Sequence, residues 1–208
     1  MSARRSGASF ELREQLAQEA ARLMAESGIQ DFGLAKRKAA ERLGISHAGV
    51  LPSNSRIQEC LAERQRIFAP ASHDRRLSAL RRLATDVMAQ LEAFRPRLVG
   101  AVLAGTVTIN SAVELHAFTD SPEMVAAELA THGVSPRDVQ RRYRFGGQRV
   151  EQLPGFSFVR DGELVEVMVF PERAAHHAPL SPVDQRPMRR AGRDAVLAML
   201  AADGDTGV

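Results

Sequence analysis

The chain has few of the residues that build cross-linked or metal-rich sites: one cysteine, one tyrosine and no tryptophan in 208 residues. The single cysteine, Cys60, excludes an internal disulfide and any metal site built on several thiolates. The longest apolar runs, near 98–104 and 164–170, are about a third of a membrane span, so we expect no transmembrane helix. No basic, apolar, small-residue sequence opens the chain, and we expect no secretory signal. A cytoplasmic protein without a membrane partner is the default expectation.

Three common enzyme motifs are also absent. The chain has no Gly-Lys-Thr or Gly-Lys-Ser, no Gly-x-Gly-x-x-Gly and no Gly-x-Ser-x-Gly. P-loop enzymes, Rossmann dehydrogenases and α/β-hydrolases need these turns, so the sequence argues against all three classes. Its 28 basic residues almost balance 25 acidic ones, with a net charge of +3. That charge is not by itself the footprint of a nucleic-acid-binding protein.

The first part of the chain, residues 1–94, has a helical repeat. Apolar residues recur every three or four positions in four segments, which predicts an amphipathic helix in each. Residues 1–94 are therefore expected to form a helical module. The first predicted helix has Ser9 as its N-cap and ends at Gly28, and the second runs between Asp31 and Gly44. The third covers Asn54–Phe68, and the fourth runs from a cap at Asp74 to Phe94.

The second part, residues 95–208, changes to an extended pattern after Pro96. Its order of strand, strand, helix and then a meander predicts a small α+β domain with a mixed or antiparallel sheet and flanking helices. The predicted strands are 98–103 ending at Gly105, then 113–118, 139–145, 149–153, 156–160 and 164–170, with a helix from Ser121 to Gly133 and turns at Gly146-Gly147 and Asp161-Gly162. A loop over 171–188 and a helix over 189–201 complete the prediction.

Three features of the predicted sheet have the residue types for chemistry. A glycine and a threonine, Gly105-Thr106, at a strand end could let the backbone and a hydroxyl meet a phosphate. Glu114 and His116 alternate on one strand and therefore share a face. His116 could be an acid, a ligand or a partner for Glu114, and the last is favoured. Glu166 lies among strand formers, where a carboxylate needs solvent or a partner.

These elements resemble the nucleotidyltransferase domain of the DNA polymerase β superfamily. The stretch Leu-Ala-Gly-Thr at 103–106 resembles the family's glycine-containing turn. The stretch Asn-Ser-Ala-Val-Glu-Leu at 110–115 resembles its second strand, and Glu166 stands where its third acid is expected. The resemblance spans roughly 97–170 and implies Mg²⁺-dependent transfer of a nucleotidyl group from a nucleoside triphosphate to an unidentified acceptor. It implies that Gly105 and Thr106 hold phosphates and that Glu114 and Glu166 are catalytic metal ligands.

The match departs from the family pattern at the metal ligands. Ala112 stands where the first metal-binding acid is expected, and a glutamate replaces the usual shorter acid at Glu114. Magnesium demands near-ideal octahedral geometry, so both changes weaken such a site. The sequence therefore leaves open two functions, a nucleotidyltransferase whose active site has partly decayed and a noncatalytic interaction or scaffold protein that keeps the fold.

Nucleic-acid binding is a further alternative. The stretch 39–45, preceded by Lys-Arg-Lys, resembles the first helix and turn of a helix-turn-helix, although glycine and proline within 47–52 argue against a following recognition helix. Arg141, Arg142 and Arg144 surround Tyr143 on a predicted strand and could contact an RNA backbone. A solvated strand edge explains these arginines equally well.

The proline-rich segment 181–190 is unusual for a loop, because it combines two prolines with three arginines. We expect it to fold over the sheet and to offer Arg186 or Arg189 to an anionic ligand such as a nucleotide. An ordered linker to the last helix is the simpler interpretation.

Overall fold

A computed structural model describes residues 2–45, 51–68, 70–146 and 149–205 of the chain. The predicted α+β class is confirmed, since the described residues form seven α-helices and one five-stranded mixed sheet. None of the helices in these ranges has both the length and the hydropathy that crossing a bilayer requires. The helices are α1 (Ser2–Ser27), α2 (Phe32–Arg42), α3 (Asn54–Phe68), α4 (Pro70–Gln90), α5 (Gly100–Ala104), α6 (Pro122–Thr131) and α7 (Arg193–Asp205). The strands are β1 (Arg97–Val99), β2 (Val113–Phe118), β3 (Arg137–Arg144), β4 (Val150–Arg160) and β5 (Glu163–Phe170).

The chain divides into two compact units. The helical unit contains Met1–His73, Thr106–Ser111 and Pro182–Asp184, and the sheet unit contains Asp74–Gly105, Ala112–Ser181 and Gln185–Val208. Most of α4 therefore belongs to the sheet unit, whereas the helical repeat predicts one helical module over residues 1–94. The boundary at residue 94 stays a prediction.

The helical unit is built on α1, which packs against α2 and α3. Asp31 caps α2 by accepting a hydrogen bond from the backbone N–H of Leu34, as its side chain and position predict. The predicted end of α1 before Gly28 and the predicted limits of α3 are confirmed, but α1 begins at Ser2, so Ser9 lies inside the helix and caps nothing. The core of the unit consists of Leu16, Ala17, Ala20, Ala21, Leu23, Met24, Ala35, Ala39, Ile57, Cys60 and Leu61.

The sheet has the strand order β1-β2-β5-β4-β3. Its centre is the parallel pair β2 and β5, and all its other pairs are antiparallel. The hairpin between β4 and β5 turns at Asp161-Gly162, where both residues have positive φ, as the dipeptide predicts. Strand β4 is one continuous strand through Pro154 and Gly155, although the sequence predicted two strands. The predicted turn at Gly146-Gly147 lies partly outside the described residues.

The first strand of the sheet is shorter than predicted. Strand β1 ends at Val99 and helix α5 begins at Gly100, so the predicted strand is confirmed at Leu98 and Val99 and is wrong over 100–103. Gly100 has a φ of 70°, a backbone conformation that side chains other than glycine disfavour, and the chain turns there into a helix. A short apolar run fits a buried strand and a buried helix equally well, which is why the pattern failed here.

Alternate residues place the two faces of the sheet in different surroundings. On one face, apolar residues of β2 and β5 alternate and are fully buried, among them Val113, Leu115, Val165 and Val167. The opposite face carries the polar residues of the same strands, together with an aromatic cluster. That cluster comprises Phe118, Tyr143, Phe145, Leu153, Met168 and Phe170.

Candidate functional site

The two glutamates predicted as metal ligands are direct neighbours in the sheet. Glu114 of β2 pairs in register with Glu166 of β5, and both lie on the polar face. Their side chains are 25% and 14% exposed, so each carboxylate is mostly removed from water. Alternation within each strand predicts the face, and the parallel pairing supplies the juxtaposition.

A guanidinium lies against both carboxylates. Arg141 of β3 donates from Nη1 to Oε2 of Glu114 at 2.8 Å and from Nη2 to Oε2 of Glu166. One positive charge thus forms ion pairs with two carboxylates, and the planar guanidinium matches this geometry better than an ammonium group could. We call Glu114, Glu166 and Arg141 the acid-pair cluster.

Burial and charge act in opposite directions on this cluster. Burial raises the pKa of Glu114 above its usual value, and the neighbouring Arg141 opposes that shift. Burial lowers the pKa of Arg141, but the charges of Glu114 and Glu166 outweigh it and leave that pKa raised. Arg141 therefore stays a cation, and it is the counterion that makes a carboxylate at position 114 tolerable.

The backbone also approaches the cluster at Gly100. A Cβ added there would lie 2.6 Å from Oε1 of Glu114, closer than real contacts allow. The turn that follows β1 and approaches the acid pair is therefore Gly100-Ala101. Its second residue, an alanine, has no hydroxyl. The predicted phosphate turn is elsewhere: Gly105 ends α5 with a φ of 77°, and Thr106 is a buried residue of the helical unit.

His116 belongs to a second polar group on the same face, and its partners are not the predicted one. It is fully buried, Nδ1 accepts a hydrogen bond from Nε of Arg190 at 3.1 Å, and Nε2 lies 3.4 Å from the Tyr143 hydroxyl. Because an arginine only donates, Nε2 carries the proton and donates to Tyr143. The favoured role of His116 as a partner of Glu114 is wrong, since Arg141 has that role.

Burial and the neighbouring charges disfavour proton exchange by His116 and Tyr143 near neutral pH. Burial lowers the pKa of His116 well below its usual value, with the charges of Arg190 and Arg141 adding to the effect. Burial also raises the pKa of the Tyr143 hydroxyl. Both His116 nitrogens are engaged and the ring is out of reach of solvent, so it does not serve as a general base for an external substrate.

The proline-rich segment contacts the sheet, and Arg190 is the arginine that it places there. The guanidinium of Arg190 lies over the rings of Phe118 and Phe170 and donates to the backbone carbonyl of Ala174 at 2.9 Å. Burial lowers the pKa of Arg190 to about 10, and its Nη2 has no hydrogen-bond partner among the described atoms.

Of the two arginines that the sequence predicted for an anionic ligand, Arg189 is exposed and makes no ion pair among the described residues. The backbone carbonyl of Arg186 accepts a hydrogen bond from the N–H of Ser181, and its side chain is exposed. Spacing along an irregular segment does not reveal which of three nearby arginines faces a sheet. The anionic-ligand role of Arg186 and Arg189 stays a prediction.

No protein-family model, curated protein or solved structure matches this chain.

The donor set does not fit a magnesium site. In the described ranges no group of three or more histidine, cysteine, aspartate or glutamate side chains lies close enough to hold a metal ion. Ala112, at the expected position of the first acid, is buried and offers no oxygen donor from its side chain. Arg141 already binds the two carboxylates that remain, so a cation would have to displace it. The roles of Glu114 and Glu166 as metal ligands stay a prediction.

The predicted nucleic-acid contacts also lack a stacking platform. Tyr143 is 9% exposed and packs in the aromatic cluster, so its ring is closed to a base. Arg142 and Arg144 are exposed on one face, as alternation predicts. The proposed helix-turn-helix lies partly outside the described residues; helix α2 ends at Arg42 and the next described helix begins at Asn54.

Proposed function

We propose that this protein is a noncatalytic binding protein whose sheet unit resembles a nucleotidyltransferase domain in the order of its elements along the chain and in two of its acids, Glu114 and Glu166. The observation that carries the proposal is the position of Arg141, whose guanidinium binds Glu114 and Glu166 together where metal-dependent transfer would need a divalent cation. The cluster has the features of a structural ion pair, in which breaking one partner is costly and both partners are hydrogen-bonded.

Two further departures support a loss of catalysis. The turn at Gly100-Ala101 has no side-chain donor for a phosphate, and Ala112 has no ligand for a metal. Phosphoryl and nucleotidyl transfer depend on positioning and charge neutralisation, so each missing group removes part of the machinery that stabilises the transition state. A cytoplasmic location is part of this proposal, supported by the near absence of cysteine.

Calorimetry with each nucleoside triphosphate, with and without magnesium, tests the proposal. We expect no magnesium-dependent heat of binding from the wild-type protein, and no difference between wild type and Glu166→Gln. Glu92→Gln, a surface carboxylate of the same unit, controls for the change in net charge. Magnesium-dependent binding that survives Glu92→Gln but disappears in Glu166→Gln would overturn the proposal in favour of a metal-dependent nucleotidyltransferase.

A further inference from the structure

Strand β3, at one edge of the sheet, has backbone N–H and C=O groups that point away from its neighbour β4. Among the described strands β3 pairs only with β4, and the N–H of Leu180 donates to the outward carbonyl of Arg144. In an antiparallel strand the backbone groups of alternate residues point the same way. Those of Asp138, Gln140 and Arg142 therefore also point away from β4, and among the described backbone hydrogen bonds Leu180 closes this edge only at Arg144. A row of outward N–H and C=O groups is a template for an added strand.

A groove lies beside this edge. It has a volume of about 400 Å³ and is lined by Pro122 and Ala126 of α6 and by Pro154 and Phe156 of β4, with carboxylates at Glu123 and Asp138. An added strand directs every second side chain to one face of a sheet. A strand on β3 would thus place alternate side chains over an apolar floor, which is how strand addition obtains specificity.

The charges along the β3 edge indicate which kind of peptide segment would bind there. Arg142 and Arg144 are exposed on the face that also carries Gln140 of the groove, and neither makes an ion pair among the described residues. Carboxylates of a bound segment would meet these guanidinium groups, while apolar residues would lie over the groove. A second copy of β3 fits less well, because the antiparallel register that sets its Arg144 against Asp138 would lay its arginines, and no apolar side chain, over the groove.

We propose that the β3 edge and its groove dock an extended segment of another protein by strand addition, with acidic side chains at Arg142 and Arg144 and apolar side chains in the groove. This goes beyond the proposed function, since none of the residues that bind belongs to the acid-pair cluster. RNA is the less favoured ligand because Tyr143, the aromatic residue of this strand, is buried.

Fluorescence anisotropy with a labelled, end-blocked peptide tests this. The peptide has alternating glutamate and threonine followed by alternating valine and threonine, and its reversed sequence covers the opposite strand direction. We expect one of the two to bind, with affinity that falls as salt is added. A peptide with lysine in place of glutamate is expected not to bind.

Two variants remove different parts of the interaction. Arg142→Glu with Arg144→Glu reverses the edge charge, and Gln140→Pro removes one outward N–H at a place where an edge strand tolerates proline. Each should weaken binding at least about tenfold, or about 1.4 kcal/mol. The matched control, Arg75→Glu with Arg82→Glu, changes two exposed arginines of α4 and should bind as wild type does.

Unfolding midpoints show whether each variant is folded, and amide exchange at Gln140 and Arg142 should slow when the peptide is bound. Failure of both peptides to bind wild type would overturn the proposal, as would equal binding by the charge-reversal variant. An oligouridylate that binds wild type and Gln140→Pro alike, while the peptides do not bind, would identify the surface as a nucleic-acid contact.

Discussion

Replacement of Arg141 by methionine tests the acid-pair cluster most directly. The variant keeps the bulk of the side chain but leaves Glu114 and Glu166 side by side without their counterion. Breaking a fully buried ion pair costs about 3–5 kcal/mol. The Arg141 side chain is 40% exposed, so water screens part of the loss, and we expect a destabilisation of about 2 kcal/mol at pH 7. For a protein of this size that lowers Tm by roughly 4–8 °C.

The loss of stability in Arg141→Met should change with pH in a definite direction. The pKa of Glu114 is already raised in the folded protein, and removing Arg141 takes away the group that opposes the shift. A carboxyl group with a raised folded-state pKa binds protons more readily when folded, so acidification favours the folded state. The deficit of Arg141→Met is therefore full at neutral pH and shrinks as the pH falls toward the unfolded value of 4.5.

The assay is urea unfolding followed by tyrosine fluorescence. The chain has one tyrosine and no tryptophan, so the signal comes from Tyr143 beside the cluster. Adding Glu114→Gln and Glu166→Gln to the variant removes the uncompensated charges and should restore most of the stability. Equal midpoints for wild type and Arg141→Met at neutral pH, or a deficit that grows on acidification, would refute the reasoning.

Two further predictions concern groups around the cluster. In an NMR titration, the ring resonances of His116 should show protonation only at a pH well below its ordinary pKa of 6.5; protonation of His116 near pH 6.5 would contradict its buried, hydrogen-bonded environment. Gly100→Ala should lower the free energy of unfolding more than Gly133→Ala, which shares the positive φ but has open space around it and should cost about 1 kcal/mol. Equal losses would show that the Glu114 carboxylate does not constrain Gly100.

The sequence predicted the sheet well where the local pattern has one solution. Alternation along β2 placed Glu114 and His116 on one face, the family resemblance brought Glu166 to Glu114, and the Asp161-Gly162 dipeptide placed the hairpin. It failed at 100–103, because a run of apolar residues does not distinguish a strand from a buried helix without the positive φ of Gly100. Helix starts failed at Ser9 and Asp74, where a capping residue lies inside a longer helix.

The role of Arg141 was missed, although a signal for it exists. Val139 and Tyr143 lie two residues before and after it, and both are apolar or aromatic residues of a strand. Period-two alternation therefore assigns Arg141 to the inward face, and an inward arginine needs an acid across the sheet. The sequence does not reveal which acid, because the contact between β3 and the central strands depends on long-range pairing.

The parallel pairing at the centre of the sheet has a consequence for synthesis of the chain. Strand β2 leaves the ribosome well before β5, and the intervening chain contains α6, β3 and β4. Until Phe170 has emerged, the apolar residues of β2 have no partner on that side, whereas β3, β4 and β5 form local antiparallel pairs quickly. We therefore expect the nascent meander to assemble first and then to pair with β2, and a ribosome that stalls between the two steps would leave the apolar residues of β2 exposed to aggregation.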